Sequence, residues 1–248
     1  MKKLLILVIN IFVTGILFAQ DLTPDQIVSN YLKAIGQDKF MNIETMKMTG
    51  KMNIPQQGLD MQVTQFQKKP DKVRQDIEVQ GMTVVMSTYG ETGWVINPMM
   101  GATEPQYLNA EAIKALEKEG NNDPTADWDT PFINSKEKGI NIEFAGKEDI
   151  NGSTALNLKF TYKEGYSINY LFDANSFLLL KSKSTENVQG QTYDREIRFS
   201  DYRNFNGILF PGKLDMLVNG QVQQVFTLTN CEFNIPVDDS IFNKPVKN

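Results

Sequence analysis

Two periodicities divide the chain. Near its start, Ile27, Tyr31, Leu32 and Ile35 recur three to four residues apart, which places them on one stripe of a helix. Thr23 is suited to the N-cap, Pro24 to the first helical position, and Gln26 completes a capping-box pattern; Gly36 supplies a stop. From Met46 the period becomes two. Met46, Met48, Met52 and Ile54 alternate with polar residues, as do Leu59, Met61 and Val63, then Val73, Ile77 and Val79, then Met82, Val84 and Met86. Pro55-Gln56-Gln57-Gly58, Pro70-Asp71 and Gln80-Gly81 supply turns between these strands. Gly93 to Asn97 reads as a further short strand, stopped by Pro98.

The middle of the chain returns to helical spacing. Asn109 caps a run through Ala110, Ile113, Leu116 and Glu117 that Gly120 ends. Asp129 caps a second short helix, with Pro131 in its first turn and Phe132 and Ile133 turned inward; Asn121 to Trp128 between them reads as a polar loop. Alternation resumes at about Ile140 and runs through Ile142-Phe144, Leu156-Tyr162, Tyr166-Phe172, Phe177-Leu180, Tyr193-Phe199, Ile208-Phe210 and Val222-Leu228. The pattern predicts about eleven strands and three helices. Short sequential connections make the sheet antiparallel, and a sheet this wide must curl. The expected fold is mainly β with helices (α+β): a curved antiparallel half-barrel of about eleven strands, polar outside, with helices on its concave face.

Residues 1–20 carry a different signal. Lys2 and Lys3 precede an apolar stretch from Leu4 to Phe18, interrupted by Asn10, Thr14 and Gly15, and Ala19-Gln20 then meets the polar Asp21. This is the pattern of a secretory signal peptide, shorter than the roughly 20 apolar residues of a membrane-spanning helix. The expectation is an exported protein with residues 21–248 as a single domain. With no Cys near the cleavage point it is not lipid-anchored.

Composition narrows the chemistry. The 25 basic and 30 acidic residues give a net charge of −5, which argues against nucleic-acid binding and against a polybasic membrane-surface binder. The 248 residues contain no His, which excludes Ser-His-Asp and Cys-His nucleophile systems and His-ligated metals. The single cysteine, Cys231, excludes an intrachain disulfide and a Cys-rich metal site. Ser135 and Lys138 match a Ser-x-x-Lys spacing without the partner motifs of serine β-lactamases. Asp123, Asp127 and Asp129 cluster without the order of a calcium loop. Arg74, Arg195 and Arg198 lie within strands; one turned into the concave face could hold a polar headgroup. No catalytic residue, metal site or cofactor is expected.

Methionine is the unusual residue. Of 11, nine fall between Met41 and Met100, most at inward positions of the first strands. Met is flexible and polarizable, so it serves either as core filler or as a lining for acyl chains of mixed length. The candidate apolar lining is Met46, Met48, Met52, Met61, Val63, Val84, Met86, Trp94, Phe132, Leu158, Phe160 and Tyr170.

Several motifs occur in a familiar order between residues 40 and 246. They are Lys68-Lys69-Pro70, Arg74, Tyr89-Gly90-Glu91-Thr92-Gly93-Trp94 and Ile96-Asn97-Pro98, then Asp129-Thr130-Pro131-Phe132-Ile133, and finally Val237-Asp238-Asp239-Ser240-Ile241-Phe242 ahead of Pro245. With them, the chain resembles the LolA-like family of outer-membrane lipoprotein carriers, or lipoprotein-sorting proteins. Gly146-Lys147-Glu148-Asp149-Ile150-Asn151-Gly152, and Phe199-Ser200-Asp201-Tyr202 leading to Asn206-Gly207-Ile208-Leu209-Phe210-Pro211, resemble an exported subgroup under the same label. The resemblance implies an open half-barrel with helices as a lid over an apolar cavity, and transfer without catalysis. The family's functional arginine before the proline corresponds to Lys69, which lacks the planar fork of arginine. Lys69 and Arg74 are the candidate lid or headgroup residues.

The leading expectation is therefore a monomeric periplasmic carrier that shields lipoprotein acyl chains or lipid on the way to the outer membrane. Inner- and outer-membrane lipoprotein transfer proteins would be its partners. The alternative is an envelope sensor or interaction module of the same fold that binds a lipoprotein or membrane protein. A hydrolase ranks last, because no nucleophile–base pair is visible.

Overall fold

The computed structural model describes residues 22–125, 130–188 and 190–245. The expected signal peptide, Asp127, Trp128 and Asp129 lie outside the described residues. Helix α1 (Pro24–Ala34) opens the fold, with its capping box closed in both directions between Thr23 and Gln26. A single turn, α2 (Gln37–Phe40), follows across the left-handed Gly36. Strands β1 (Thr45–Ile54), β2 (Leu59–Lys68), β3 (Lys72–Val79), β4 (Met82–Tyr89), β5 (Thr92–Asn97) and β6 (Ala102–Tyr107) form the first meander. Helix α3 (Ala110–Asn122) then leads to the second: β7 (Asn141–Ile150), β8 (Ser153–Thr161), β9 (Ser167–Asp173), β10 (Leu179–Val188), β11 (Gln191–Phe205), β12 (Ile208–Val218) and β13 (Gln221–Phe233).

All thirteen strands belong to one antiparallel sheet, ordered β6-β5-β4-β3-β2-β1-β13-β12-β11-β10-β9-β8-β7. Each meander pairs sequential neighbours, and the two join through β1 and β13, with Met46 opposite Phe233 and Met52 opposite Phe226. The sheet is open, with β6 and β7 at its edges.

Its curvature follows from what α3 touches. The helix contacts both β5 and β10, which lie eight strand-to-strand steps apart in the sheet. Flat, those steps would span about 38 Å, whereas thirteen helical residues reach about 20 Å. The sheet must curl around the helix, giving the expected half-barrel with helices on its concave side.

The sheet has thirteen strands where the pattern predicts about eleven. The strand with no counterpart among the alternating segments is β6: its Ala102-Thr103-Glu104-Pro105-Gln106-Tyr107 has no alternating apolar face, and Pro105 fits only an edge. The expected short helix from Asp129 is not a helix where it is described; residues 131–139 form successive turns. Helix α3 runs past Gly120 to Asn122.

One core lies between α1 and the second meander. Ile27, Tyr31 and Leu32 meet Leu158, Phe160, Tyr170 and Phe172. A smaller core gathers Phe40, Ile43, Met46, Phe210, Leu228 and Cys231. Burial pushes the Cys231 thiol up to about 12, so it is held as the unreactive thiol. A thiol-specific chromophore at about pH 8 should leave Cys231 unmodified in the native protein and label it on addition of denaturant.

Candidate functional site

Strand registers define the concave face of the first meander row by row. Met48, Gln65, Gln75, Met86 and Val95 stand side by side across β1 to β5. Two residues further along, Gly50, Val63, Ile77 and Val84 form the next row. Beyond it Met52 faces Met61, and Val79 faces Met82. In the opposite direction lie Met46, Gln67, Val73, Thr88 and Gly93. Two glycines let neighbours approach this surface. A Cβ on Gly50 would strike the Phe226 ring, and one on Gly93 would press on Leu108 and on Ile113 of α3.

The structure divides the expected lining into two groups. Met46, Met48, Met52, Met61, Val63, Val84 and Met86 share the concave face by register and alternation. Met46 and Val63 are buried, while Met48, Met52, Met61, Val84 and Met86 stay partly exposed. Leu158, Phe160 and Tyr170 occupy the concave face of the second meander, fully buried under α1. Phe132 plugs this half, its ring centroid 5.0 Å from both Tyr31 and Tyr170 and 5.5 Å from both Phe160 and Phe172. Between α1 and β12, beside Tyr31, Ile35 and Phe210, only about 20 Å³ remains, room for no more than a water. The second meander is thus filled by its own side chains. The Met-bearing first meander keeps partly exposed apolar surface.

Helix α3 spans these two halves. At its start Ile113 lies against Gly93. At its end the Asn121 carbonyl accepts from Tyr170 Oη at 2.5 Å, and the Asn122 carbonyl accepts from Ser182 Oγ at 2.6 Å. Asn122 Oδ1 also accepts from Ser184 Oγ, and Lys118 pairs with Glu186 at 2.7 Å. Burial drives the Tyr170 hydroxyl well above its ordinary value, so it stays a neutral donor. Strand order requires a crossing, since β6 and β7 are consecutive in sequence but occupy opposite edges, and α3 bridges from β5 to β10 on the way.

Trp94 is a correction to the expected lining. Its register partner Ser87 belongs to the row of Lys47, Phe66 and Arg74, on the face opposite Met86. There Trp94 Nε1 donates to the Phe242 carbonyl at 2.8 Å, and Ser87 Oγ donates to the same oxygen. Arg74 is the second correction. It pairs with Asp76 and donates to the Ile241 carbonyl from this outer face, so it is turned away from the cavity. Lys69, just after β2, donates to the Met41 carbonyl at 2.7 Å and lies 4.0 Å from Glu44, holding the loop before β1.

The segment after β13 is therefore a strap on the convex side. Phe242 is buried, and Asp239 pairs with Lys68 at 2.7 Å and Lys72 at 3.0 Å. Those hydrogen-bonded ammonium groups hold the Asp239 carboxyl below its ordinary value. A carboxyl depressed in the folded state contributes fully above its unfolded value, and the contribution is lost as pH falls through the folded one. Amide protection in residues 239–243, corrected for intrinsic exchange, should decline below the ordinary carboxylate range and hold at neutral pH.

The remaining candidates are tied into local structure. Ser135 Oγ donates to the Pro131 carbonyl and Lys138 Nζ to that of Thr130. Asp123 accepts from Thr125. Arg195 pairs with Glu186, and Arg198 with Glu196. Among the described residues no three His, Cys, Asp or Glu side chains gather as metal ligands. Gln65 and Gln75 stand at inward positions of alternating strands, paired with each other across β2 and β3.

No protein-family model and no curated sequence matches the chain. Solved structures do. A LolA superfamily protein from Nitrosomonas europaea superposes with a TM-score of 0.58 at 13% identity, covering 90% of this chain and 99% of the other. A DUF1329 family protein from Desulfovibrio piger gives 0.58 at 13% identity, covering 90% and 98%. A domain named for outer membrane lipoprotein sorting, from Vibrio parahaemolyticus, gives 0.55 at 13% identity, covering 88% and 97%. An open, strapped antiparallel half-barrel with a helix across its mouth is thus the architecture of this molecule. Its fold is LolA-like.

Proposed function

We propose that the protein is a periplasmic carrier that shelters lipoprotein acyl chains or free lipid on the Met-lined face of β1–β4 and passes them on without chemistry. The observation that carries this reading is the division of the concave surface: one half filled by Phe132 and α1, the other apolar, partly exposed and crossed by α3. Methionine side chains adapt to chains of differing length, and each buried methylene contributes about 0.8 kcal/mol. The LolA-like fold and the export pattern of residues 1–20 support the assignment. Among the described residues no helix is long and apolar enough to cross a membrane.

The test is native mass spectrometry of protein purified from an exporting host, with lipid extraction alongside. An acyl species released on mild activation is the expected result, and its mass names the lipid class. A protein that stays empty after incubation with lipids and a triacylated peptide overturns the carrier reading in favour of a module that binds a protein partner.

A further inference from the structure

The Met-lined face runs out at one end of the sheet. Met52 faces Met61 beside the β1–β2 turn, and Val79 faces Met82 across the β3–β4 turn. Pro98–Met100, a single turn of 3-10 helix between β5 and β6, lies against β4 at this same end. Met100 is 82% exposed, more than any other large apolar side chain among the described residues, and Met99 beside it is exposed as well. Pro55-Gln56-Gln57-Gly58, Gln80-Gly81 and Pro98-Met99-Met100-Gly101 carry no charge, whereas the first meander's turns at the opposite end hold Lys69, Asp71 and Glu91. A Cβ on Gly58, Gly81 or Gly101 would meet nothing within 4 Å, so all three uncharged turns stand in open space.

One exposed apolar residue is ordinary; two in succession on a projecting hairpin, at the end of an apolar face, mark a contact surface. The tip is narrow for a protein partner, since a standard interface takes about 800 Å² from each side. A lipid surface takes up a projecting side chain without a matching pocket. These turns withstand the loss of water. The Gln57, Gly58 and Gly101 N–H groups already donate to the Ile54, Pro55 and Pro98 carbonyls, and no charge is carried in. A net charge of −5 gives the protein no attraction to anionic lipid. We infer that the Met99–Met100 tip, with the two uncharged turns beside it, docks the half-barrel on a zwitterionic lipid surface. Docking sets the open end of the Met-lined face against that surface, so an acyl chain passes between bilayer and sheet without crossing the charged end. This inference rests on the carrier reading and adds where the ligand enters and leaves.

The experiment floats protein with vesicles of phosphatidylcholine alone and of phosphatidylcholine mixed with phosphatidylglycerol. It compares the wild type, Met99→Asp/Met100→Asp, and Met41→Asp, an exposed methionine whose carbonyl is held by Lys69 at the charged end. Binding of a fluorescent fatty acid is measured alongside in vesicle-free solution. The wild type should float with phosphatidylcholine alone, and the double variant should partition at least roughly tenfold less. Met41→Asp should match the wild type. All three should bind fatty acid equally in solution, which also shows that they are folded, while transfer out of vesicles slows in the double variant by a similar factor. Undiminished flotation of the double variant, or no flotation of a wild type that binds fatty acid, overturns the docking tip and leaves the carrier reading standing. Flotation that requires phosphatidylglycerol overturns the zwitterionic surface. A wild type that does not float, with a double variant slow to deliver fatty acid to a protein acceptor, assigns the tip to a protein partner instead. Flotation through the tip by a wild type that binds no fatty acid keeps the docking and overturns the carrier.

Discussion

Met61→Asp and Met86→Asp should each weaken acyl binding by at least about 100-fold while leaving a folded protein. Both residues are partly exposed on the concave face, so in the empty protein a new carboxylate keeps its water and the sheet stays intact. A bound acyl chain would remove that water without supplying a partner, and an uncompensated buried charge is opposed by several kcal/mol. The measurement is displacement of a fluorescent fatty acid, with circular dichroism and thermal melting as controls for folding. Wild-type uptake by both folded variants would place the ligand elsewhere and remove the Met-lined face from the mechanism.

Phe132→Ala should act in the opposite way, on stability more than on the ligand. The ring sits among Tyr31, Phe160, Tyr170 and Phe172 in edge-on contacts and is almost fully buried. Removing a buried aromatic ring leaves a cavity and costs about 3–5 kcal/mol. Because α1 and the second meander meet through this ring, the denaturant midpoint should fall with little change in slope. A loss below about 1 kcal/mol would show that the surroundings collapse onto the gap and that Phe132 is not the plug.

The contrast between these residues shows what was legible in the chain. Strand existence and the helical stripe of α1 followed directly from periodicity, because each element buries one face and leaves the other wet. Alternation also put Met46, Met48, Met52, Met61, Val84 and Met86 on a common face. It does not say which residues a distant segment will cover. Trp94 follows Gly93 on a short strand, and either face is consistent with the local pattern; the segment ending at Phe242, 148 residues away, makes its face the outer one. Arg74 left the cavity for the same reason, since the Ile241 carbonyl it holds lies 167 residues further on. Strand β6 escaped because an edge strand with little to bury needs no alternation. The polar tether of α3 was hidden too: Asn121 and Asn122 read as loop residues until the sheet curls and brings Tyr170 and Ser182 beneath them.

The strand order also shapes how the molecule is assembled. Every neighbouring pair in the sheet is joined by local chain except β1 and β13, where Thr49 and Thr229 touch across 180 residues. The two meanders can therefore organise from near neighbours, whereas the seam between them waits on a large loop closure, the slow kind of contact to form. The methionines of β1 and β2 lie beside that seam. Until it closes they are an unprotected apolar ribbon, the kind of surface that a chain in transit leaves to a holdase or loses to aggregation. The surface proposed to carry another molecule's hydrocarbon would itself need shelter while the protein is being made.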